Sequence, residues 1–178
     1  MARRLYTLSY PDLFAGDRAL IDAFRSAYDL PFRDVVKPHF TLVFGCSDLA
    51  ETEYLAHARK IALASQPIAF TCRYAMLGAD HADDTAYVFL VPDEGHSAIA
   101  LLHDRLYTGI LAVKLRLDVP YIPHITIATQ SDRAVAKALC VQWNARGLSI
   151  SGSLTALSVS ALENDRIHDL ATIPLAAD

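Results

Sequence analysis

Two histidines and two threonines are the residues of this sequence best arranged to do chemistry. Residues 38–42 read PHFTL and residues 123–127 read PHITI. Both have the form Pro-His-apolar-Thr-apolar. In an extended strand, side chains alternate between faces. His39 and Thr41 therefore share one face, and Phe40 and Leu42 the other. His124 and Thr126 stand in the same relation to Ile125 and Ile127. Each copy would bury its apolar side and present an imidazole beside a hydroxyl. The two groups would lie roughly 6.5 to 7 Å apart along the strand. That separation suits holding different atoms of one tetrahedral phosphate.

Imidazole titrates close to neutrality, so one ring can accept a proton while another donates one. Threonine hydroxyls donate hydrogen bonds to non-bridging phosphate oxygens as charge builds there. Two such strands would flank a phosphodiester and suit in-line displacement. One histidine would activate the attacking water or hydroxyl, and the other would protonate the leaving oxygen. The sequence does not settle which does which. No metal or other cofactor is expected: threonine is a poor zinc ligand, and no third His or Cys has convincing spacing. A single His-x-Thr carries little weight, because a strand histidine is usually a satisfied or surface one. Two of seven histidines sharing the preceding proline and the apolar interleaving are hard to assign to coincidence. The structural alternative is a motif copied twice that only packs.

The elements that must position the two motifs repeat as well. A strand is expected over residues 4–10, ended by Pro11. A helix follows over residues 16–29, with Leu20, Ile21, Phe24, Ala27 and Tyr28 at helical spacing and Asp17 near its start. Pro31 and Pro38 bracket a loop that holds Arg33 and Lys37. The first motif strand covers residues 39–44, and a second helix runs to about Ala64. Residues 67–77 alternate as one half-buried strand, GADHADD is a turn, and TAYVFLVP is another strand. A third helix is expected from about Glu94 to Gly109. A loop with Lys114, Arg116 and Asp118 then leads to Pro120, Pro123 and the second motif strand. Ser131 is the expected N-cap of a fourth helix. LSISGSLTALSVSALE and RIHDLATIPL close the chain as two strands around an Asn164-Asp165 turn. The order strand, helix, loop, proline-histidine strand, helix, strand thus occurs twice. We expect an α+β fold forming a single bilobal domain over residues 1–178. Two pseudo-symmetric lobes, each a small, mostly antiparallel sheet with helices outside, would flank a central cleft.

Composition narrows the function classes. The chain has 178 residues, 53% hydrophobic and 20% charged, with a net charge of −4. That is globular rather than disordered. It excludes a bulk nucleic-acid coat, which needs a strongly basic face, but leaves room for a local phosphate pocket. Cys46, Cys72 and Cys140 form no CxxC pair and read as free, buried thiols. No apolar run is long enough for a membrane span, and no apolar stretch follows the opening arginines. A cytoplasmic protein is expected, as a monomer without an obligate protein partner.

These motifs resemble those of the 2H phosphoesterases, the LigT-like or 2′-5′ RNA ligase family. PHFTL and PHITI carry the resemblance. RLYTL at residues 4–8 is similar to the family's opening strand, where an aromatic near Tyr6 is common. Tyr-x-Pro-His at residues 121–124 is similar to second motifs in the family. The resemblance implies a metal-independent phosphoesterase acting on RNA-type phosphodiesters. It would hydrolyse 2′,3′-cyclic phosphates of nucleotides or RNA ends, or join 2′-5′ linkages reversibly. His39 and His124 would be the acid/base pair, with Thr41 and Thr126 on the phosphate. Tyr121 and Tyr6 are expected on the nucleotide, and Tyr10 is a weaker candidate for stacking. Family members with a basic residue soon after the second motif gain a phosphate contact. Ala128 and Thr129 stand here instead, so Lys37, Arg33, Lys114 and Arg116 are the candidates for that role. Trp143 is expected to pack. His57, His96, His103, His81 and His168 lack a repeated partner and are expected at the surface. The rival from a different class is a binding module that recognises a nucleotide or RNA end without turnover.

Overall fold

Both motif strands bury alternate residues, as their sequence requires. In β3 (Phe40–Cys46), Phe40 and Leu42 are fully buried and Thr41 is half-buried. In β7 (Ile125–Gln130), Ile125 and Ile127 are fully buried and Thr126 is half-buried. These features belong to a computed structural model that describes residues 3–79 and 85–176. His39 and His124 each immediately precede their strand, so the first strand starts one residue later than expected. His81 and most of the GADHADD turn lie outside the described residues.

Three antiparallel sheets carry the fold. The first runs β10 (Arg166–Pro174), β9 (Ala156–Glu163), β1 (Arg4–Ser9), β3, and the second runs β5 (Tyr74–Ala79), β6 (Ala86–Val91), β7. Each motif strand is thus an edge strand of its lobe. A third sheet, β2 (Asp12–Leu13), β8 (Ile150–Leu154), β4 (Ile68–Cys72), joins the two. Its strands β4 and β8 come from two segments that each read as one strand in the sequence. Residues 67–77 divide at Arg73, whose guanidinium binds Asp93 at 2.5 Å and also Glu94. LSISGSLTALSVSALE divides at Thr155, whose hydroxyl donates to Asp12 Oδ2 at 2.6 Å. The buried positions change phase at both breaks: Ile68, Phe70 and Cys72 precede Arg73 and Ala75 follows it, while Ile150 and Leu154 precede Thr155 and Leu157, Val159 and Ala161 follow it. β4 hands the chain to the His124 lobe, and β8 hands it to the His39 lobe.

The helices are exchanged between lobes. α1 (Ala15–Tyr28) and α4 (Arg133–Asn144) cover the β7 sheet, while α2 (Glu51–Leu63) and α3 (His96–Leu106) cover the β3 sheet. Each helix that precedes a motif in sequence therefore packs on the other motif's strand. On one side, Thr129 of β7 donates its hydroxyl to Asp29 Oδ1 at 2.7 Å, and Gln130 Nε2 donates to the Tyr28 carbonyl at 2.9 Å. Phe24 meets Trp143 edge-on at 4.9 Å, which gives Trp143 its expected packing role. On the other side, His103 Nδ1 lies 2.9 Å from the Leu42 carbonyl, and the Phe44 N–H donates to the Tyr107 hydroxyl at 3.0 Å. His103 is buried and His57 is half-buried on the Leu106 carbonyl, so neither is the surface residue expected. One cluster of buried apolar side chains includes residues of all three sheets.

Three local expectations change. The fourth helix is capped by Asp132, whose carboxylate accepts from the Ala134 and Val135 N–H groups, and not by Ser131. Asp17 lies inside the first turn of α1 and accepts from the Ser151 N–H. The third helix ends at Leu106 and is followed by a 3₁₀ helix, Gly109–Lys114, at the left-handed Gly109. The Asn164-Asp165 turn is as expected, with φ of 50° and 59°. Among the described residues no helix is long and apolar enough to cross a membrane.

Candidate active site

The chain enters each motif strand in the same way. His39 Nδ1 lies 2.7 Å from the Lys37 carbonyl, and His124 Nδ1 lies 2.6 Å from the Ile122 carbonyl. A carbonyl oxygen can only accept, so each Nδ1 carries the proton. That fixes one tautomer for both rings and leaves Nε2 as the free nitrogen of each. Neither Nε2 has a hydrogen-bond partner among the described residues. Burial pushes both histidines down, each to about 4. The carbonyl bonds work against that shift. At His39 the Arg25 guanidinium and the second histidine add to it, and Asp169 opposes it. Both rings are therefore neutral at pH 7 in the empty cleft.

Two adjoining cavities receive these side chains. One of about 240 Å³ is lined by His39 and Thr41, with Tyr6, Arg25 and Asp29 on its wall. The other, of about 450 Å³, is lined by His124, with Phe44, Phe89 and Arg116 beside it. Thr126 and Tyr87 border both. The four motif side chains predicted from sequence thus meet around one divided cleft. Tyr6 is on its wall, as expected. Its ring crosses Gly45, where a Cβ would come within 2.6 Å of the Tyr6 hydroxyl.

Tyr121 is placed differently from expectation. It lines neither cavity. Its ring stacks on His103 at 3.6 Å, and its hydroxyl donates to the Thr41 carbonyl at 3.0 Å. Both its faces of chemistry are spent on ties between the approach to His124 and the strand of His39. It is a spacer for the two half-sites. Tyr10 meets the His39 ring edge-on at 6.3 Å and donates to Asp169 at 3.0 Å. Of the expected loop cations, Arg116 reaches the His124 cavity, where Asp118 binds it at 2.6 Å. Arg33 and Lys37 border an outer cavity, and Lys114 lines none of the cavities described.

Sequence reasoning missed Tyr87, Phe89, Arg25 and Asp29. Phe89 stacks on His124 at 3.7 Å, with Tyr87 behind it at 5.7 Å. Gly78 makes room for this column, since a Cβ there would sit 1.9 Å from Phe89 Cε2. The aromatics at alternate positions of TAYVFLVP were the available signal. The three cysteines are free and buried, with thiols held protonated by burial, Cys72 up to about 12. Among the described residues no group of three or more His, Cys, Asp or Glu is gathered to hold a metal ion.

The sequence pattern of the 2′-5′ RNA ligase superfamily matches residues 11–166, a span that includes both motifs. The chain belongs to that superfamily. Solved structures of the same fold agree. Escherichia coli LigT complexed with 3′-AMP is 19% identical, with a TM-score of 0.58 over 99% of this chain and 100% of that one. LigT complexed with NADP+ is 18% identical, with a TM-score of 0.59 over 98% and 99%. Kluyveromyces marxianus Usb1 with uridine monophosphate is 10% identical, with a TM-score of 0.55 over 97% and 98%. These likenesses establish the 2H fold for the chain, with its two lobes around a cleft. No match was found among curated proteins.

Proposed function

We propose that the chain is a metal-independent 2H phosphoesterase that opens 2′,3′-cyclic phosphates on nucleotides or RNA ends. The observation that carries this reading is the pair of matched tautomers, each leaving Nε2 free toward a shared cleft. In the proposed reaction one neutral histidine takes a proton from water through Nε2. The water oxygen bonds to phosphorus, and the bond to the ribose 2′ or 3′ oxygen breaks. The other histidine, protonated at Nε2, gives that proton to the leaving oxygen. Thr41 and Thr126 donate to non-bridging oxygens as their charge grows. With an RNA 5′ hydroxyl in place of water and the 3′ oxygen leaving, the same steps join a 2′-5′ linkage, and run backwards they cleave it.

The acid must first gain its proton. Both rings are pushed down to about 4 in the empty cleft. The negative charge of a bound phosphodiester favours imidazolium, so the substrate itself would help charge the acid. The nucleotides in the LigT and Usb1 structures support a nucleotide-sized ligand. The reading takes residues 1–178 as one bilobal domain, which the helix packing and shared core support, and takes the protein as a monomer.

The test is hydrolysis of a 2′,3′-cyclic nucleotide panel in EDTA by the wild type, His39→Ala and His124→Ala. Turnover lost in both folded variants is expected, and the product isomer names the bond broken. Binding without turnover by the wild type would favour the non-catalytic binding module. Turnover retained in either variant would remove the paired acid/base mechanism.

A further inference from the structure

Among the described residues, Arg25 is the only arginine or lysine on the wall of the His39 cavity. It is 4% exposed, and a cation so buried must be paired. Its Nε donates to Asp29 Oδ2 at 2.8 Å, Nη2 lies 2.8 Å from the same oxygen in an ion pair, and Nη2 donates to the Phe32 carbonyl at 3.3 Å. Nη1 makes no hydrogen bond to the described residues. No buried side-chain nitrogen or oxygen among them lacks a partner, so Nη1 reaches open space. Arg25 borders two such spaces: the His39 cavity, and an outer one of about 260 Å³ with Arg33 and Lys37.

What aims the guanidinium comes from the other lobe. Asp29 is fully buried, and its second oxygen accepts the Thr129 hydroxyl at 2.7 Å. Thr129 lies three residues beyond Thr126 on β7. A chain of polar contacts therefore runs from the strand of one motif, through Asp29 and Arg25, to the cavity of the other.

We propose that Arg25 is a further anion-binding residue of this cleft, contacting a non-bridging phosphate oxygen, with Asp29 and Thr129 as its positioning residues. The inference rests on the phosphoesterase reading and adds a cationic donor to it. Asp29 neutralises the guanidinium in the empty cleft, which permits its burial. A phosphate entering the cleft then meets N–H donors already oriented, with little reorganisation. Guanidinium–phosphate bonds are among the stronger hydrogen bonds available to a protein.

The experiment follows the His39 and His124 ring protons by NMR while inorganic phosphate is added, and measures cyclic nucleotide hydrolysis beside it. The key variant is the double substitution Arg25→Met/Asp29→Leu. It removes the ion pair together, so no unpaired carboxylate is left buried, and such replacements are often neutral for stability. The wild type should bind phosphate with both ring signals shifting. The double variant should keep its fold and bind phosphate roughly 10- to 100-fold more weakly, with a similar loss in kcat/KM. The His39 midpoint should also rise, because the Arg25 charge beside the ring is gone. Thr129→Val should give a smaller loss, mainly in kcat. Unchanged phosphate affinity in a folded double variant would overturn the proposal. So would dependence on Arg33 and Lys37 in place of Arg25, which would put the anion in the outer cavity. Should the double variant not fold, Arg25→Lys decides, since a lysine lacks the guanidinium fork; affinity equal to wild type overturns the proposal. A wild type that shows no phosphate effect at either histidine is a different failure, that of the phosphoesterase reading itself.

Discussion

His39 and His124 hold their protons in the same way, yet their rings rest against different things. Around His39 stand charges: Arg25 with Asp29, and Asp169 with Tyr10. Beside His124 stands an aromatic column, Phe89 and then Tyr87. Charged neighbours contribute to the His39 shift, while that of His124 comes from burial, with only its carbonyl bond opposing it. The likeness lies in the backbone path, since a carbonyl two residues upstream fixes each tautomer. The difference lies in side chains that the lobes received from separate elements. The two half-sites therefore share the way each imidazole is presented and differ in its electrostatics. The two histidines need not be interchangeable as acid and base.

The largest effect should come from breaking both sides alike. His39→Ala and His124→Ala should each lower kcat by about 10²- to 10⁴-fold. If the pair works as a unit, the double variant should be little worse than either single one. Additive losses would mean that the half-sites act separately.

A smaller change should break one side only. Gly78→Val would force Phe89 out of its place beneath His124, because Phe89 Cε2 lies 1.9 Å from where the first added carbon would be. Overpacking of this kind costs about 1–3 kcal/mol. The NMR signal of His124 should move and that of His39 should stay. Thermal unfolding and the two ring resonances test this together.

Titration sharpens the contrast further. Both histidines should titrate near 4 in the free protein, against about 6.5 in an unfolded chain. Between those values the unfolded chain binds more protons. The contribution of each ring to stability is thus fully present above the unfolded value and is lost as pH falls toward 4. Asp169→Asn removes a charge that raises His39, so the His39 midpoint should fall further while that of His124 holds. Equal movement of both would contradict the charge asymmetry.

The smallest effect is expected at the spacer. Tyr121→Phe removes one hydrogen bond, to the Thr41 carbonyl, and should cost about 1 kcal/mol. The stack on His103 remains, so kcat should fall less than about tenfold. A large rise in KM would instead return Tyr121 to the nucleotide, as its sequence position first suggested.

The paired motifs, their alternating burial and the α+β order were legible because short-range periodicity encodes them. Phe40, Leu42, Ile125 and Ile127 declare a buried face without reference to the rest of the chain. The third sheet was missed: the alternation changes phase at Arg73 and Thr155, where the chain changes sheets, but a bulge within one strand shifts the phase in the same way. The role of Arg25 was not legible, because the Asp29 that pairs with it is held by Thr129, 100 positions away in sequence. The place of Tyr121 was not legible for a related reason. Nearness to His124 in sequence placed it near the chemistry, but the Thr41 carbonyl and His103, both from elsewhere in the chain, claimed its hydroxyl and ring.

The exchange of helices also sets a timetable for synthesis. α1 leaves the ribosome early, but the strand it covers is made about a hundred residues later, as the Asp29–Thr129 contact records. Until then Ile21 and Phe24, buried in the finished protein, have no sheet to rest on. Contacts between such distant segments are slow to form, because a large loop must close first. Folding during translation would therefore stall at the first lobe and proceed only once β7 is made. In that interval the nascent chain shows an apolar helix face of the kind that chaperones bind.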